Sequence, residues 1–521
     1  MLAITSTLAL SGIVGFEVKV EVDSDRGLPA FHIVGMGDIS VKEAGERVHS
    51  SIINSGFEYP RGRVTVNLCP ASVRKKGSHF DLAIAVGVLK ATKQVVSEED
   101  IKSIFIGELS LEGRVIPVRG VLPMVRGIDS GERTRIYVAV ENAREAYLAV
   151  TDENTEIYGV ATLRELIDIL RGKSEGERYF EEISKEMVTE LEKTDFSDVR
   201  GHYLAKEAIV TAIAGGHGLI MIGPPGTGKS MLAKRIPTVL PPMSHEERIE
   251  TSMIYSLLGA LNENYPIVRE RPFQEMGPRA TEVTILGGGN EPLPGIVSLA
   301  NNGVLFIDEF LEFSGKQIEC LRRPIEEKKV NIIRKGVNYS FPASFTLVAA
   351  TNPCKCGKMG CPGKVCTCSP YEIERYRSKL SGPIADRIDM SVELPKLEYS
   401  KLTGRISQSS GEMRERVNMA REIQSKRFKD LKVSTNSEMN ERMITEFCRL
   451  GKNEKTIMER AYDLYGLSPR RYHKILKLAR TISDLSGEND ISENALLNAI
   501  GYTKFLNMYD RDGADEQIDL T

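Results

Sequence analysis

The 521-residue chain has no tryptophan, few other aromatic residues and no long uninterrupted apolar run. A bilayer-spanning helix needs about 18 or more consecutive apolar residues, so we expect no membrane-spanning segment. The first 14 residues lack a basic leader and a small-residue cleavage site, and we therefore expect no signal peptide. The longest apolar stretch, residues 208–226, ends in a glycine-rich turn and predicts a buried strand.

Neither sign of charge dominates, because 69 Lys and Arg residues face 72 Asp and Glu residues and leave a net charge of -3. This balance excludes a basic coat over the whole chain, so any nucleic-acid surface must be local. The length predicts about three or four domains. With 41% hydrophobic residues, each domain can bury a core of its own.

The eight cysteines do not have the density of a disulfide scaffold. Five of them fall between Cys354 and Cys368, among Gly, Pro and Lys residues that cannot form a hydrophobic core. This clustering indicates a metal site in a reducing compartment, and we expect the protein to be cytoplasmic.

Alternating and helical patterns divide the chain into regions. Residues 1–172 predict an α+β domain, with strands at 18–22, 64–68, 104–107 and 136–140 and a buried helix at 80–91. An acidic, amphipathic connecting helix is predicted at 173–195. Short apolar strands at 219–222, 304–307 and 345–349 predict a parallel sheet in an α/β core at 196–395. Residues 396–505 predict a small helical domain, and 506–521 form a polar tail, so the fold class is α/β multidomain.

A glycine-rich segment after the strand at 219–222 fits the pattern G-x-x-x-x-G-K-[ST] of a phosphate-binding loop. The residues predicted to bind the nucleotide here are Gly223, Pro224, Pro225, Gly226, Thr227, Gly228, Lys229, Ser230 and Met231. Glycines allow consecutive N–H groups to surround a phosphate at a helix N-terminus. Lys229 would reach the terminal phosphates and the Ser230 hydroxyl would bind Mg²⁺.

Two later strands end in polar residues that complete this chemistry. Asp308 and Glu309 end an apolar strand, where Asp308 would complete the Mg²⁺ shell and Glu309 would polarise the attacking water. Asn352 ends a third strand, where its amide could orient that water. Together with the loop, these residues predict ATP hydrolysis.

The sequences of these segments resemble those of magnesium-chelatase-like AAA+ ATPases of the ComM/YifB type. These ATPases are associated with bacterial DNA uptake and recombination. The resemblance runs from residue 1 to about 505. The matching segments are 196–202 (FSDVRGH), 214–217 (AGGH), 287–289 (GGG), 302–309 (NGVLFIDE), 352–357 (NPCKCG), 381–389 (SGPIADRID) and 467–470 (LSPR).

This resemblance implies further roles. Arg387 matches an arginine finger that enters a neighbour's ATP site, which implies a ring, expected to be a homo-hexamer. Arg470 matches the second sensor arginine; Ser468 as N-cap would place it in the first turn of a helix, within reach of a γ-phosphate. Val199 and Gly201 match the loop that packs on adenine.

Residues 256–299 resemble an insertion that faces the ring pore, although residues 274–279 (QEMGPR) replace the family's histidine-containing pattern. Arg279, and Arg334 with Lys335 at the tip of a hairpin predicted at 330–341, are the basic residues we expect to contact a nucleic-acid backbone. A solvated turn is the alternative for each.

The family pattern has two Cys-x-Cys pairs, which match Cys354, Cys356, Cys366 and Cys368 and leave Cys361 as an extra or alternative ligand. Four thiolates suit structural Zn²⁺. An iron–sulfur cluster or reduced free thiols remain open alternatives. A metal here could brace Asn352, two residues upstream.

Residues 107–120 resemble the proteolytic domain of Lon proteases, whose fold is of the ribosomal S5 domain 2 type. In that alignment His79 occupies the place of the nucleophilic serine, with Ser78 one position out of register, and Leu122 occupies the place of the lysine. A Ser–Lys dyad needs a hydroxyl beside an amine, so we expect the fold without the peptidase activity.

The resemblance implies an ATP-driven ring motor on single-stranded or branched DNA, a helicase or branch-migration enzyme that works with recombination proteins. The alternatives are the ATPase subunit of a magnesium chelatase and a protein-remodelling ATPase. A scaffold that only binds ATP is disfavoured because the predicted catalytic residues are all present.

Overall fold

The computed structural model describes residues 1–71, 73–95, 101–128, 131–176, 178–179, 194–261, 265–361, 363–380, 386–397 and 408–507. The chain divides into two compact units. Unit 1 comprises Met1–Val188, Ser244–Arg269 and Asn331–Phe341, and unit 2 comprises Thr189–Met243, Glu270–Val330 and Pro342–Thr521. Most of the predicted connecting helix at 173–195, and the tail from 508 onward, lie outside the described residues.

The strands, in chain order, are β1 (Leu2–Ser11), β2 (Val14–Asp25), β3 (Ala30–Val34), β4 (Arg63–Cys69), β5 (Lys102–Phe105), β6 (Glu108–Leu109), β7 (Val115–Ile116), β8 (Thr134–Ala139), β9 (Thr155–Val160), β10 (Leu219–Ile222), β11 (Phe273–Met276), β12 (Gly287–Gly288), β13 (Leu293–Pro294), β14 (Val304–Ile307), β15 (Lys329–Arg334), β16 (Val337–Pro342), β17 (Thr346–Thr351) and β18 (Met390–Glu393).

The helices are α1 (Ile39–Asn54), α2 (Asp81–Ala91), α3 (Val121–Arg126), α4 (Val140–Ala149), α5 (Leu163–Leu170), α6 (Tyr203–Gly215), α7 (Lys229–Ala233), α8 (His245–Leu257), α9 (Glu282–Leu286), α10 (Ile296–Leu299), α11 (Gly315–Glu327), α12 (Pro370–Arg377), α13 (Ser410–Arg427), α14 (Glu441–Phe447), α15 (Lys452–Tyr465), α16 (Pro469–Leu485) and α17 (Glu493–Asn507).

Unit 1 contains a mixed sheet in the order β3-β4-β2-β1-β5-β8-β9. β1 pairs antiparallel with β2, and β5, β8 and β9 continue from β1 as parallel neighbours. The alternation predicted for residues 18–22 is confirmed, because Val18, Val20 and Val22 are fully buried while Lys19 between them is exposed. Helix α2 is buried along almost its whole length, as the apolar run predicts.

Helix α8 belongs to unit 1, although sequence position alone assigns it to the ATPase core. Ile249 packs in the same apolar cluster as Val121 and Leu122. The Ser256 hydroxyl donates to the Glu145 carboxylate, which also accepts from the backbone N–H of Leu122. The sequence gives no sign of these partners, because α8 and α4 are separated by about a hundred residues.

Unit 2 contains a five-stranded sheet in the order β11-β14-β17-β10-β18, in which every neighbouring pair is parallel. This confirms the predicted parallel sheet. β10 and β14 are buried at all four positions, as expected for strands covered on both faces. Within the apolar stretch at 208–226, β10 occupies the predicted residues 219–222, and the preceding residues to Gly215 belong to α6. Both elements are buried, so the apolar run has no period that separates them.

The C-terminal part of unit 2 is helical, as predicted. Its helices share one apolar cluster with the sheet, in which Met413 and Ile475 pack with Ala212 and Met221. Ser468 caps α16 by accepting from the backbone N–H of Arg471, and Pro469 is the first helical residue, which confirms the predicted start of this helix. Among the described residues, none of the helices combines the length and apolarity that crossing a bilayer requires.

Candidate functional site

The candidate site lies at the carboxyl ends of three adjacent parallel strands. β10 pairs with β17, and β17 pairs with β14, so the residues that follow these strands meet at one edge of the sheet. The glycine-rich loop follows β10, Asp308 follows β14 and Asn352 follows β17. Crevices at this edge of an open parallel sheet are the usual ligand sites of such folds.

The loop between β10 and α7 is built around left-handed glycines and the buried end of a lysine. Gly226 and Gly228 have φ values of 79° and 86°, which an L side chain rarely adopts. The Lys229 ammonium donates to the carbonyl oxygens of Gly223 at 2.6 Å and Pro224 at 3.0 Å. It also donates to Asn352 Oδ1 at 3.2 Å, so the loop and the end of β17 are joined by one side chain.

Burial lowers the pKa of Lys229, and the nearby carboxylates of Asp308 and Glu309 act in the opposite direction. An ammonium group that is partly dehydrated and already faces oxygen acceptors is suited to bind phosphate oxygens, which carry more negative charge than carbonyl groups. The position of Lys229 therefore fits the phosphate-binding role predicted from the sequence.

Ser230 and Asp308 form the part of the site that fits a magnesium ion. The Ser230 hydroxyl donates to Asp308 Oδ2 at 2.7 Å, and Asp308 Oδ1 accepts from the backbone N–H of Glu309 at 2.9 Å. Neighbouring ligands of an octahedral Mg²⁺, each at about 2.1 Å, lie about 3 Å apart, which is close to the Ser230–Asp308 separation. Glu309 itself has φ 52°, a left-handed conformation at the turn after β14.

These side chains line a cleft of about 350 Å³. Its lining residues are Pro225, Gly226, Gly228, Lys229, Ser230, Met231, Asp308, Glu309, Thr351 and Asn352. Sequence reasoning missed Thr351, whose small polar side chain at the end of a strand is no distinguishing signal. When bound, a nucleotide with Mg²⁺ would supply the reactive phosphoryl group here, and the chain would supply the groups that hold it.

The segment predicted to face adenine lies beside this loop, outside the cleft lining. Val199 is buried, and its carbonyl oxygen accepts from the Lys206 ammonium at 2.6 Å. Gly201 lies against the Leu397 side chain. His202 hydrogen-bonds the backbone of Thr227 in the loop, and burial lowers its pKa. The adenine role of Val199 and Gly201 stays a prediction.

Arg387 and Arg470 meet each other at a second place in unit 2. Arg387 forms an ion pair with Glu326 at the end of α11, and Arg470 approaches the same carboxylate at 3.6 Å. Arg470 also pairs with Asp386 at 3.3 Å. Both arginines line a cleft of about 780 Å³ whose lining includes none of the residues around Lys229. The structure thus brings the two arginines together and places neither in the Lys229 cleft.

A partly buried acid that the sequence analysis missed holds this second region together. Asp389 accepts from the Lys474 ammonium of α16 at 2.9 Å and from the backbone N–H of Gly218 at 3.0 Å, and His217 Nδ1 lies 3.6 Å away. Burial acts to raise the pKa of Asp389, but Lys474 and His217 outweigh it and hold this pKa well below its usual range. His217 and Asp389 lie in the segments AGGH and DRID, but neither segment indicates that the two residues meet.

Four cysteines converge in the loop that follows Asn352. The Sγ atoms of Cys354, Cys356, Cys366 and Cys368 all lie within 4.8 Å of one another. Cys361 lies outside this group and hydrogen-bonds the Gly357 carbonyl at 3.6 Å. N–H groups of Lys358 and Thr367 lower the pKa of Cys356 to about 5, which favours a thiolate. The structure therefore gathers the four predicted ligands and separates the fifth.

The residues at the Lon-like dyad positions have no catalytic geometry. His79 is buried and its ring packs against Phe80 at 4.1 Å between centroids. Ser78 donates to Glu108, and Leu122 is fully buried in the apolar cluster of unit 1. Without an amine beside a hydroxyl at these positions there is no pair to activate a nucleophile.

Three segments of the chain match known protein families. Residues 195–402 match the family described as magnesium chelatase, subunit ChlI; residues 20–142 match subunit ChlI of Mg-chelatase, and residues 407–503 match its C-terminal region. Competence protein ComM of Haemophilus influenzae is 40% identical over 506 residues, which cover 96% of this chain and 97% of that protein. The chain belongs to the ComM/YifB family.

Two other family members match the same share of this chain as ComM does. The YifB proteins of Salmonella typhimurium and Escherichia coli are each 37% identical, over 96% of this chain and 97% of their own length. A maize DNA replication licensing factor, MCM3 homolog 1, is 22% identical over 283 residues, 52% of this chain and 32% of that protein. As a ComM/YifB protein with a magnesium-chelatase-type core, the chain is an AAA+ ATPase.

Proposed function

We propose that this ComM/YifB-family ATPase is a ring-forming motor on DNA that drives branch migration or unwinding when incoming DNA is recombined. The observation that carries the ATPase part is the convergence of Lys229, Ser230, Asp308, Glu309 and Asn352 at one edge of the parallel sheet. In this proposal the cofactors are ATP and Mg²⁺.

Each of these residues has a role that its position supports. Lys229 neutralises charge on the terminal phosphates, and Ser230 with Asp308 holds the magnesium ion. Glu309 takes the proton of the attacking water, and Asn352 orients that water from the end of β17. Asn352 already contacts Lys229, so the water-orienting group and the phosphate-binding group are held in one network.

The arginine pair supports a ring, which we propose is a homo-hexamer. Arg387 and Arg470 share the Glu326 carboxylate in a cleft separate from Lys229. We therefore propose that both arginines act on the nucleotide of a neighbouring subunit, and that the γ-phosphate which Arg470 is expected to reach belongs to that neighbour. A guanidinium supplied in trans offsets charge that develops during phosphoryl transfer.

DNA as the track is supported by relatives and by one element of the fold. The Haemophilus relative is named a competence protein, and the maize relative a DNA replication factor. In unit 1, β15 and β16 form a two-stranded hairpin with exposed Arg334 and Lys335 at its tip. A basic tip on a narrow hairpin suits contact with phosphates of single-stranded or branched DNA. Recombination proteins are the partners that such a role implies.

One observation favours a second candidate, the ATPase subunit of a magnesium chelatase. The matched families carry that description in three segments, including residues 20–142. The N-terminal domain is therefore compatible with a chelatase role, and the response to DNA has to separate the two functions. A protein-remodelling ATPase, like a chelatase subunit, would hydrolyse ATP without responding to DNA.

The experiment is steady-state ATP hydrolysis by the purified protein, alone and with single-stranded, duplex or branched DNA. We expect several-fold stimulation by at least one DNA form, and loss of ATP binding and turnover in Lys229→Ala. Robust turnover that is indifferent to every DNA would remove the DNA motor and favour the chelatase-type or remodelling role. Unchanged ATP affinity in Lys229→Ala would remove the assignment of the site itself.

A further inference from the structure

The tetracysteine loop, residues 353–368, begins one residue after Asn352. Three of its sulfur–sulfur distances can be compared with those in a metal site. They are 3.5 Å for Cys354–Cys356, 3.6 Å for Cys354–Cys366 and 3.5 Å for Cys356–Cys366. Around one tetrahedral Zn²⁺ with bonds of about 2.3 Å, sulfur atoms lie about 3.8 Å apart. The cluster thus fits a single ion. A polynuclear iron–sulfur cluster places its thiolates on separate irons and needs a wider spacing.

This loop also touches the phosphate-binding loop. A Cβ atom built on Gly357 would lie 2.7 Å from Pro225 Cγ and 2.9 Å from Pro225 Cδ, closer than real Cβ contacts. Gly357 lies between ligand Cys356 and the rest of the loop, and its backbone N–H donates to the Cys354 carbonyl at 2.9 Å. The position of Gly357 is therefore tied to the two cysteines that precede it, Cys354 and Cys356.

Helix α12, which follows the tetracysteine loop, contacts the first half of that loop. Arg377 donates from Nε to the Pro353 carbonyl at 3.0 Å and contacts Met359 Sδ with Nη2 at 3.0 Å. Apart from Cys354, the cluster cysteines are half-buried, and the loop has no apolar core of its own. A metal ion is thus the element that would fix the loop where it meets Pro225.

We propose that one tetrahedral metal ion, zinc by ligand type, is held by Cys354, Cys356, Cys366 and Cys368 and sets the affinity for ATP. The ion holds Gly357 against Pro225. Because Asn352 lies only two positions before Cys354, the ion also holds the Asn352 side chain at the Lys229 ammonium. Loss of the ion frees the loop, and both contacts with the nucleotide site loosen. The inference rests on the nucleotide site proposed above.

The first experiment tests the metal without using activity. The metal content of the purified protein is measured, and the metal is exchanged for Co²⁺, whose absorption bands report tetrahedral thiolate ligation. We expect one ion per chain and the tetrathiolate spectrum in the wild type and in Cys361→Ser. Cys366→Ser should lose both. Absence of a bound ion in the wild type, or loss of the ion in Cys361→Ser, would overturn the ligand set.

The second experiment separates the contact with Pro225 from the metal itself. Gly357→Ala and Gly360→Ala carry the same backbone strain, since their φ values are 70° and 73°, but only Gly357 faces a neighbour within 4 Å. We expect Gly357→Ala to keep the ion and to weaken binding of a fluorescent ATP analogue about tenfold, and Gly360→Ala to bind like the wild type. Equal affinity of the two variants would overturn the coupling.

Metal removal gives the same comparison in the wild-type chain. Chelation should weaken nucleotide binding, and restoring Zn²⁺ should recover it, with circular dichroism unchanged throughout. If the stripped protein binds ATP as well as the loaded protein, the ion has no role at the nucleotide site. If the loaded wild type binds no ATP, the proposed function fails, while the Co²⁺ spectrum still decides the ligand set by itself.

Discussion

At the scale of single residues, His79 lies where the resemblance to Lon proteases places the nucleophilic serine, but its surroundings do not suit catalysis. The side chain is buried beside Phe80 and hydrogen-bonds the backbone of Leu8. Burial lowers its pKa from 6.5 to about 4, so the ring is neutral in the folded protein at pH 7. A neutral, enclosed imidazole contributes packing and is not accessible to a substrate.

The depressed pKa of His79 predicts that its own contribution to the stability of unit 1 falls in mild acid. The unfolded chain binds a proton below about pH 6.5, whereas the folded chain does so only near pH 4, so the contribution of His79 is present at neutral pH and is lost as pH falls through that window. The His79 contribution should fall by about 2 kcal/mol by pH 5. Burial raises the pKa of Asp81 in α2 to about 6, which acts in the opposite direction over the same range, so the His79 contribution is read as a difference from a variant without the imidazole. Hydrogen exchange of the α2 amides, corrected for intrinsic rates, measures it.

His79→Phe is the matched control, because it keeps an aromatic ring at the site and removes the titrating group. The α2 amides of this variant should lose less protection between pH 7 and pH 5 than those of the wild type. Identical pH slopes in the two proteins would assign the acid sensitivity to other groups.

At the scale of elements, the strands that carry the site were the easiest to predict. The predicted bounds of β10 and β14 match the structure residue for residue, because short apolar runs next to glycine or acidic residues have few other interpretations. β11 and β18 were missed. Only four residues long, they contain polar residues such as Gln274 and Ser391, and only the neighbouring strands give them a place in the sheet.

The hairpin predicted at 330–341 is confirmed in outline, since β15 and β16 are joined at Lys335 and Gly336. For its proposed DNA contact we expect the pair Arg334→Gln and Lys335→Gln to weaken DNA binding several-fold. The slope of log affinity against log salt should fall by about one for each lost phosphate contact. ATP hydrolysis without DNA should not change.

Glutamine is chosen because it removes the charge and keeps a long side chain at Lys335, whose backbone is left-handed with φ 49°. Lys329→Gln, at the start of β15, removes an exposed charge from the same element away from the tip. An equal salt slope in the tip and control variants would rule out the tip as a DNA contact.

At the scale of the whole molecule, the arginine pair predicts that the active unit is a ring. Arg387→Ala should bind ATP but lose turnover by about 10³-fold, the usual cost of removing an arginine finger. Glu309→Gln should also bind without turnover. In a random mixture of these two variants about a quarter of the interfaces contain both intact groups, so part of the activity should return.

The control is a protein that carries both substitutions, mixed with Arg387→Ala. Such rings contain no complete interface and should stay inactive. ATPase assays with subunits mixed under conditions where rings exchange measure both cases. If the first mixture is as inactive as the second, Arg387 does not act across a subunit boundary.

The sequence by itself located the residues of the candidate nucleotide site. The phosphate-binding loop, Asp308, Glu309 and Asn352 each follow a strand, and parallel strands bring their carboxyl ends together, so local pattern and spacing were enough. The resemblance to the family picked out four cysteines, and the structure gathers the sulfur atoms of the same four.

Only the tertiary structure decided which distant segments meet. Arg387 and Arg470 share Glu326, Asp389 joins β18 to α16, and Gly357 packs on Pro225, although long stretches of chain separate each pair. Helix α8 likewise packs in unit 1 through Ile249 and Ser256. Periodicity and motifs report the neighbours of a residue along the chain, whereas these contacts depend on how whole elements pack, which no local pattern encodes.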